Sequence, residues 1–352
     1  MGDLGFSGRL TALGRSVLGM LCACLIAGSV AAQDFEIEDR QLYPGTSPVV
    51  LRVISTTDLD VFEPLLLRFQ DQHPEIGIDY VVASSAELHR AIRGGATYDL
   101  ALSSAMDLQF SLANDGRARS YSSAVTEALP DWARWNDRIF AFTAEPAVVV
   151  INEARFEGLP RPRSRADLVT LLRDHPDRFE GAVGTYDLRE SGLGYLFATQ
   201  EARASDAYWR LTEVMGRLNP RLYCCSSQMI DDVASGRLAL AYNVLGPYAE
   251  GRLGQDEGLA ILPMEDFANV MLRTALIPTT AQEVEAAGLM LDALLREGMG
   301  DGAEPGLPPL QARGEGAGDA FGPIRLGPAL MVYLDRLNRE SFLEAWNAAM
   351  EQ

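Results

Sequence analysis

The chain has 352 residues, of which 47% are hydrophobic, and its formal net charge is −19. This length suits two domains of ordinary size, and so acidic a body excludes a role that depends on contacts to nucleic-acid phosphates. All 30 lysine-plus-arginine residues are arginine, which excludes a Schiff-base lysine and a lysine-containing phosphate loop. The three histidines, His73, His89 and His175, show no zinc or catalytic-triad spacing, so no metal, cofactor or catalytic residue is predicted.

Residues 1–32 predict a cleaved signal peptide. Arg9 and Arg15 precede the apolar stretch Ser16–Ala32, which is short of the roughly 20 residues that a membrane span needs. The stretch ends in the small-x-small pattern of signal cleavage. Lipid attachment at Cys24 is the alternative, but it would cut the apolar stretch in two. We therefore expect export and cleavage near Ala32.

Four segments in chain order place hydroxyl groups between an apolar run and an amphipathic helix. They are Leu51–Asp58 with Ser55, Thr56 and Thr57; Asp99–Asp107 with Ser103 and Ser104; Gly181–Phe197 with Tyr186, Ser191 and Gly192; and Cys224–Tyr248 with Ser226 and Ser227. Hydroxyls and free N–H groups at helix starts attract anions, and open α/β sheets hold ligands at the carboxyl ends of their strands. One such serine is usually only a helix cap, but four together favour a cleft for a small polar ligand.

The last segment holds the richest set of candidates. Its run Leu238–Tyr242 predicts a buried strand whose end delivers Asn243, Gly246 and Tyr248 to the cleft. Cys224 and Cys225 remain after the leader is removed, and they either form a vicinal disulfide or stay as buried thiols.

Two long extended runs suggest how the domains connect. They are Ile139–Asn152, with a break expected at Glu145-Pro146, and Leu259–Pro278, and an α/β unit lies between them. The pattern predicts two α/β lobes joined by two extended crossings, lobe 1 comprising residues 33–145 and 265–352 and lobe 2 comprising residues 146–264.

The order of these motifs resembles that of the type II periplasmic solute-binding proteins of ABC importers. The resemblance rests on V-I-S-T-T-D, D-L-A-L-S-S-A-M-D, A-E-P-A-V-V-V-I-N, T-Y-D-L-R-E-S-G-L-G-Y-L-F, the Ser227–Ala249 stretch and V-M-L-R-T-A-L-I-P, and it covers nearly the whole mature chain. It is strongest for the branch of ferric-iron and phosphorylated-sugar or phosphoglycerate receptors. It implies a two-lobed Venus flytrap in the periplasm, monomeric, whose partner is an ABC permease or, alternatively, a membrane sensor kinase.

The resemblance also implies where the ligand lies. The contacts carry over to Ser55, Thr56, Thr57, Ser103, Ser104, Tyr186, Ser191, Gly192, Ser226, Ser227, Tyr242 and Asn243. Arg273, in the second crossing, is the expected anchor for a carboxylate or phosphate, unless it pairs with a hinge carboxylate instead. The ligand expected is a small anionic solute, an organic or phosphorylated acid.

Two alternatives remain open at this stage. A ferric-iron receptor would use Tyr223, Tyr242 and Tyr248, although the chain lacks the two consecutive tyrosines of that subgroup. A transferase on the same fold would use Cys225 as nucleophile, but no histidine or lysine lies near it in sequence.

Overall fold

The computed structural model describes residues 35–253, 258–262, 264–266, 268–300, 308–310 and 323–351. The predicted signal peptide and its cleavage point near Ala32 lie outside these residues. Within them, no helix is both long enough and apolar enough to cross a membrane.

Strands and helices alternate along most of the chain. The strands are β1 (Asp39–Tyr43), β2 (Val50–Ser55), β3 (Gly77–Val82), β4 (Leu100–Ser103), β5 (Arg134–Trp135), β6 (Ile139–Asn152), β7 (Val183–Tyr186), β8 (Arg221–Tyr223), β9 (Leu240–Leu245), β10 (Leu259–Leu262) and β11 (Val270–Leu276). The helices are α1 (Leu59–Gln72), α2 (Ser85–Gly94), α3 (Met106–Asn114), α4 (Ala124–Glu127), α5 (Arg165–Asp174), α6 (Pro176–Phe179), α7 (Gly192–Ala204), α8 (Ala207–Gly216), α9 (Ser226–Ala234), α10 (Gly246–Leu253), α11 (Val284–Met299) and α12 (Arg336–Met350).

Local sequence signals explain where several helices begin and end. The Ser84 side chain accepts a hydrogen bond from the Glu87 N–H and starts α2, and Gly95 ends that helix with a φ of 87°. Ser164 and Asp167 form a reciprocal capping box at the start of α5. In α12, Trp346 is almost fully buried, as its apolar face predicts.

Nine of these strands form one hydrogen-bonded path in the order β1-β3-β2-β4-β11-β6-β9-β7-β8, and β5 and β10 each pair with β6 beside it. One half contains β2 parallel to β3 and β4, and the other contains β7 parallel to β8 and β9. All six residues of β3 are buried, as expected for a strand covered on both faces. The α/β class predicted from the sequence is confirmed, while the lobe boundaries stay a prediction.

Strand β6 belongs to both halves. Its residues 140–146 pair with β11, whereas residues 147–151 pair with β9. The predicted break at Glu145-Pro146 is wrong, because β6 continues through both residues. Its pairing changes from β11 to β9 after Pro146, which has no backbone N–H to donate. The second predicted run, Leu259–Pro278, divides into β10 and β11, both antiparallel to β6.

Candidate functional site

The carboxyl ends of the parallel strands and the starts of the helices that follow them enclose a cleft of about 50 Å³. It is lined by Glu38, Thr56, Asp58, Ala83, Ser84, Ser85, Ser104, Tyr186, Ser191, Leu193, Cys224, Cys225, Ser226, Ser227, Leu245 and Tyr248. This volume is several times what a single water needs, so the cleft in this conformation suits a small solute.

Half of the predicted contacts lie in this lining. Thr56 and Ser104 come from neighbouring strand ends and are joined directly, since Thr56 Oγ1 lies 3.2 Å from Ser104 Oγ and accepts the Ser104 N–H at 3.0 Å. Tyr186 Oη lies 2.5 Å from Ser226 Oγ, and Ser226 Oγ also accepts the Leu245 N–H at 3.2 Å. Ser191 and Ser227 complete this set. The hydroxyls that the sequence singled out thus meet at one place.

Other predicted contacts shape the loops instead of lining the cleft. Ser55 Oγ accepts the Thr57 N–H at 3.0 Å, and Ser103 Oγ accepts the Ala105 N–H at 3.1 Å. The Gly192 N–H donates to Ser85 Oγ at 3.0 Å, which ties the start of α7 to the start of α2. These residues hold the backbone that presents the lining side chains.

Tyr242 and Asn243 lie away from the cleft. The Tyr242 hydroxyl donates to the Glu201 carboxylate at 3.0 Å, and both residues border a separate small pocket. Strand β9 runs on to Leu245, so the chain turns later than the sequence suggests, and the cleft is lined by Leu245 and by Tyr248, which was predicted there. Contact of Tyr242 and Asn243 with a solute stays a prediction.

Arg273 is fully buried beneath the cleft and is absent from its lining. Its Nε and Nη2 contact the two carboxylate oxygens of Glu145 at 2.7 and 2.9 Å, and Nη1 donates to Thr57 Oγ1 at 2.6 Å. In this conformation Arg273 forms the hinge ion pair that the sequence left as the alternative, and its Nη1 also lies 3.5 Å from Oγ1 of Thr56, which lines the cleft.

The three tyrosines of the iron alternative do not converge. Tyr223 donates to Asp232 at 2.6 Å, Tyr242 donates to Glu201, and only Tyr248 lines the cleft. Burial raises the pKa of all three phenols above the usual value. Because the hard ferric ion favours anionic oxygen donors, this arrangement does not support a ferric site.

Cys224 and Cys225 form a vicinal disulfide in the wall of the cleft. The alternative of two buried thiols is therefore wrong, and the nucleophile required by a cysteine transferase is consumed. Cys225 is the N-cap residue of α9, and it makes no side-chain capping bond. The first turn of α9 therefore begins at the cleft without the hydroxyl or carboxylate cap that most helices have.

Sequence reasoning missed two acidic side chains in the lining, Glu38 and Asp58. Burial, and then the charge of Asp58, raises the pKa of Glu38. Burial also raises the pKa of Asp58, and a hydrogen bond from Ser227 opposes that shift. Asp58 directly follows the hydroxyl residues at the end of β2, so the local sequence could have indicated its place in the cleft. Glu38 directly precedes the antiparallel edge strand β1, and nothing in its local sequence indicated a place in the cleft.

The comparison with solved structures places this architecture in a family. A substrate-binding protein of an ABC transporter from Agrobacterium tumefaciens is 30% identical, with a TM-score of 0.84 over 90% of this chain and 99% of that one. AfuA, a periplasmic binding protein of Actinobacillus pleuropneumoniae crystallised with fructose 6-phosphate, is 15% identical, with a TM-score of 0.67 over 87% of this chain and 99% of that one. Iron-bound HitA of Pseudomonas aeruginosa is 16% identical, with a TM-score of 0.61 over 86% and 99%.

The last two likenesses concern the fold alone, because their identities are low. No protein-family model and no curated protein sequence matches the chain. The likeness to the Agrobacterium tumefaciens protein combines 30% identity with nearly complete coverage of both chains. The cleft lining offers hydroxyl groups for binding, and its two cysteines are joined in a disulfide. The chain therefore belongs to the substrate-binding proteins of ABC transporters, and its fold is that of the two-lobed periplasmic binding proteins.

Proposed function

We propose that the solute captured by this chain carries an anionic group that binds at the start of α9. The observation that carries the proposal is the uncapped first turn of this helix beside Ser226 and Ser227. Free N–H groups and the positive end of the helix dipole stabilise a carboxylate or phosphate there, by about 0.3–1 kcal/mol from the dipole alone.

Hydroxyls from two further helix starts support the same chemistry. Ser84 Oγ accepts the Glu87 N–H at 3.2 Å, and Ser191 Oγ accepts the Gly194 N–H at 3.1 Å. A hydroxyl that accepts from its own helix still has its O–H to donate. Both side chains line the cleft, so each can give that proton to an oxygen of the solute.

The cleft would close by rotation of two lobes. We take lobe 1 as residues 33–145 and 265–352 and lobe 2 as residues 146–264, with β6 and the second run as the crossings. Thr56 and Ser104 then come from lobe 1, and Ser191 and Ser226 come from lobe 2. The mature protein would begin after Ala32, act as a monomer without nucleic acid, and deliver its solute to an ABC permease. A membrane sensor kinase remains the alternative partner.

The role of α9 is tested with two variants that distinguish the contribution of the Ser227 hydroxyl to binding from that of the Ser227 backbone N–H. Ser227→Ala removes only the hydroxyl, whereas Ser227→Pro also removes the N–H in a first turn, where proline is tolerated. We expect the proline variant to lose more affinity for the co-purified solute, identified by native mass spectrometry and titrated calorimetrically. Leu337→Pro, at the same second position of α12 and on the protein surface, is the matched control and should bind normally. Equal binding by both Ser227 variants and wild type would contradict the proposal.

A further inference from the structure

We propose that the acidic group of the solute is a tetrahedral oxyanion, a phosphate or a sulfonate, and that the cleft prefers it to a carboxylate. This inference rests on the anion site proposed above and names the class of group that the site accepts. It arises from buried hydroxyl protons in the cleft wall that have no acceptor among the residues that the structure describes.

Six hydroxyl oxygens of the cleft lining each accept a backbone N–H. They are those of Thr56 (from Ser104, 3.0 Å), Ser84 (from Glu87, 3.2 Å), Ser85 (from Gly192, 3.0 Å), Ser191 (from Gly194, 3.1 Å), Ser226 (from Leu245, 3.2 Å) and Tyr248 (from Asp58, 3.3 Å). A hydroxyl has one proton and two lone pairs, so each of these oxygens keeps its proton for a further acceptor.

Two of these hydroxyls also bond to another hydroxyl of the wall. Thr56 Oγ1 lies 3.2 Å from Ser104 Oγ, and Tyr186 Oη lies 2.5 Å from Ser226 Oγ. Each pair holds two protons and makes one hydrogen bond between its members. One proton of each pair therefore remains for the cleft, whichever member donates.

Burial makes these protons costly to leave without an acceptor. Four of the serines concerned are no more than 7% exposed, namely Ser85, Ser104, Ser191 and Ser226. Within the described part of the chain, no hydrogen bond takes the remaining protons, and the carboxylates of Glu38 and Asp58 in the same lining accept none of them. A solute group that accepts hydrogen bonds supplies the partner that these hydroxyls lack.

The number of protons selects among acidic groups. Ser84, Ser85, Ser191 and Tyr248 supply one each and the two pairs supply one each, six in all. A carboxylate offers about four lone-pair sites on two oxygens, whereas a phosphate or sulfonate group offers three acceptor oxygens. Because all six protons surround one cleft of about 50 Å³, a tetrahedral oxyanion accepts more of them than a carboxylate does.

The test compares three methyl compounds that differ in the acidic group: methyl phosphate, methanesulfonate and acetate. Each is titrated calorimetrically, up to millimolar concentration, into the intact mature protein freed of bound solute at pH 7.5. Methanesulfonate and acetate carry the same single charge, so repulsion from Glu38 and Asp58 affects them equally. We expect methyl phosphate and methanesulfonate each to bind at least tenfold more tightly than acetate, and the tighter of the two identifies the source as phosphate or sulfonate.

The outcomes separate this inference from the anion site at α9. Acetate that binds as tightly as methanesulfonate and methyl phosphate would overturn the preference, and failure of both tetrahedral probes to bind would overturn it too. The site at α9 is tested by Ser227→Pro with the same probes. Unchanged binding of every probe in that variant would contradict the α9 site and leave the preference for a tetrahedral group standing.

A double variant tests the count of protons. Ser84→Gly combined with Ser191→Gly removes two donors while keeping a residue that helix N-caps tolerate, and it leaves the four protons that a carboxylate accepts. We expect the advantage of methyl phosphate over acetate to fall below threefold. Ser164→Gly, the same change at the N-cap of α5 and outside the cleft lining, is the matched control and should keep the wild-type advantage. A wild-type advantage in the double variant would overturn the proposal.

Discussion

The buried ion pair beneath the cleft gives the sharpest energetic prediction. Arg273 and Glu145 are both fully buried, and their side chains share two contacts of 2.7 and 2.9 Å. Burial alone would lower the pKa of Arg273, but attraction to Glu145 outweighs it and holds that pKa above the usual value. Arg273→Met would leave the Glu145 carboxylate buried and unpaired, which costs about 3–5 kcal/mol.

A double-mutant cycle measures this coupling. We expect Arg273→Met and Glu145→Leu each to be strongly destabilised in urea unfolding followed by circular dichroism, and the double variant to lose less than the sum of the two by at least about 2 kcal/mol. Arg336→Met, which breaks the exposed pair with Glu340, should unfold like the wild type. A loss below about 1 kcal/mol in Arg273→Met would refute the reasoning.

The same variants address ligand binding. Direct anchoring of the solute by Arg273 stays a prediction, and the structure offers an indirect route through the hydrogen bonds from Arg273 Nη1 to Thr57 at 2.6 Å and to the cleft-lining Thr56 at 3.5 Å. Thr57→Val removes that bond but keeps the Arg273–Glu145 pair. If Arg273 acts by positioning the loop after β2 that contains Thr57, both Thr57→Val and Arg273→Met should weaken solute binding. Normal binding in Thr57→Val with loss in Arg273→Met would favour the direct anchor.

Three further predictions concern pH, closure and the disulfide. Burial raises the pKa of Asp107 from 3.8 to about 7, so the folded state binds the extra proton, and the stability that Asp107 contributes should fall as pH rises from about 4 to about 7, by on the order of 3 kcal/mol. Asp107→Asn should remove that slope in unfolding measured across this range. A Cβ at Gly192 would lie 2.7 Å from Ser85 Oγ and 2.8 Å from Leu108 Cδ1, so Gly192→Ala should displace these side chains, disturb the Gly192–Ser85 hydrogen bond and weaken solute binding more than it lowers the melting temperature. Replacing Cys224 and Cys225 by serine should change solute affinity by less than roughly tenfold, or about 1.4 kcal/mol.

Controls for these variants lie in the same chain. Gly251→Ala adds a methyl group to open space within α10, so it should bind the solute like the wild type and unfold no more easily. An unchanged pH slope in Asp107→Asn would contradict the burial argument. Unchanged affinity in Gly192→Ala would show that the Ser85–Gly192 contact does not belong to the ligand-bound state. A much larger loss in the double serine variant would mean that the disulfide itself contacts the solute.

The parts of the site that follow from local sequence were predictable. Thr56, Ser104 and Ser226 stand at the ends of apolar runs, and the order strand, hydroxyl, helix is enough to place them at one edge of a sheet. The long extended run Ile139–Asn152 was predicted with its observed bounds, because apolar residues continue on both sides of Pro146.

The errors came from long-range pairing. Proline at position 146 signals a break, but whether a strand breaks or changes partner depends on residues far along the chain. Tyr242 was misplaced because a run of apolar residues does not fix where β9 ends. Glu38 was missed because its position depends on β1 pairing antiparallel with β3. The partner of Arg273 could not be predicted, because the sequence alone allows its guanidinium to bind either an anionic ligand or a hinge carboxylate such as Glu145.

The most direct test of the central claim is native mass spectrometry of the protein purified from its own periplasm, with the released solute identified by fragmentation. We predict one small bound solute that contains an acidic group, and we predict that Ser227→Pro carries less of it than Ser227→Ala. A bound ferric ion, a neutral sugar or a solute without an acidic group would contradict the account.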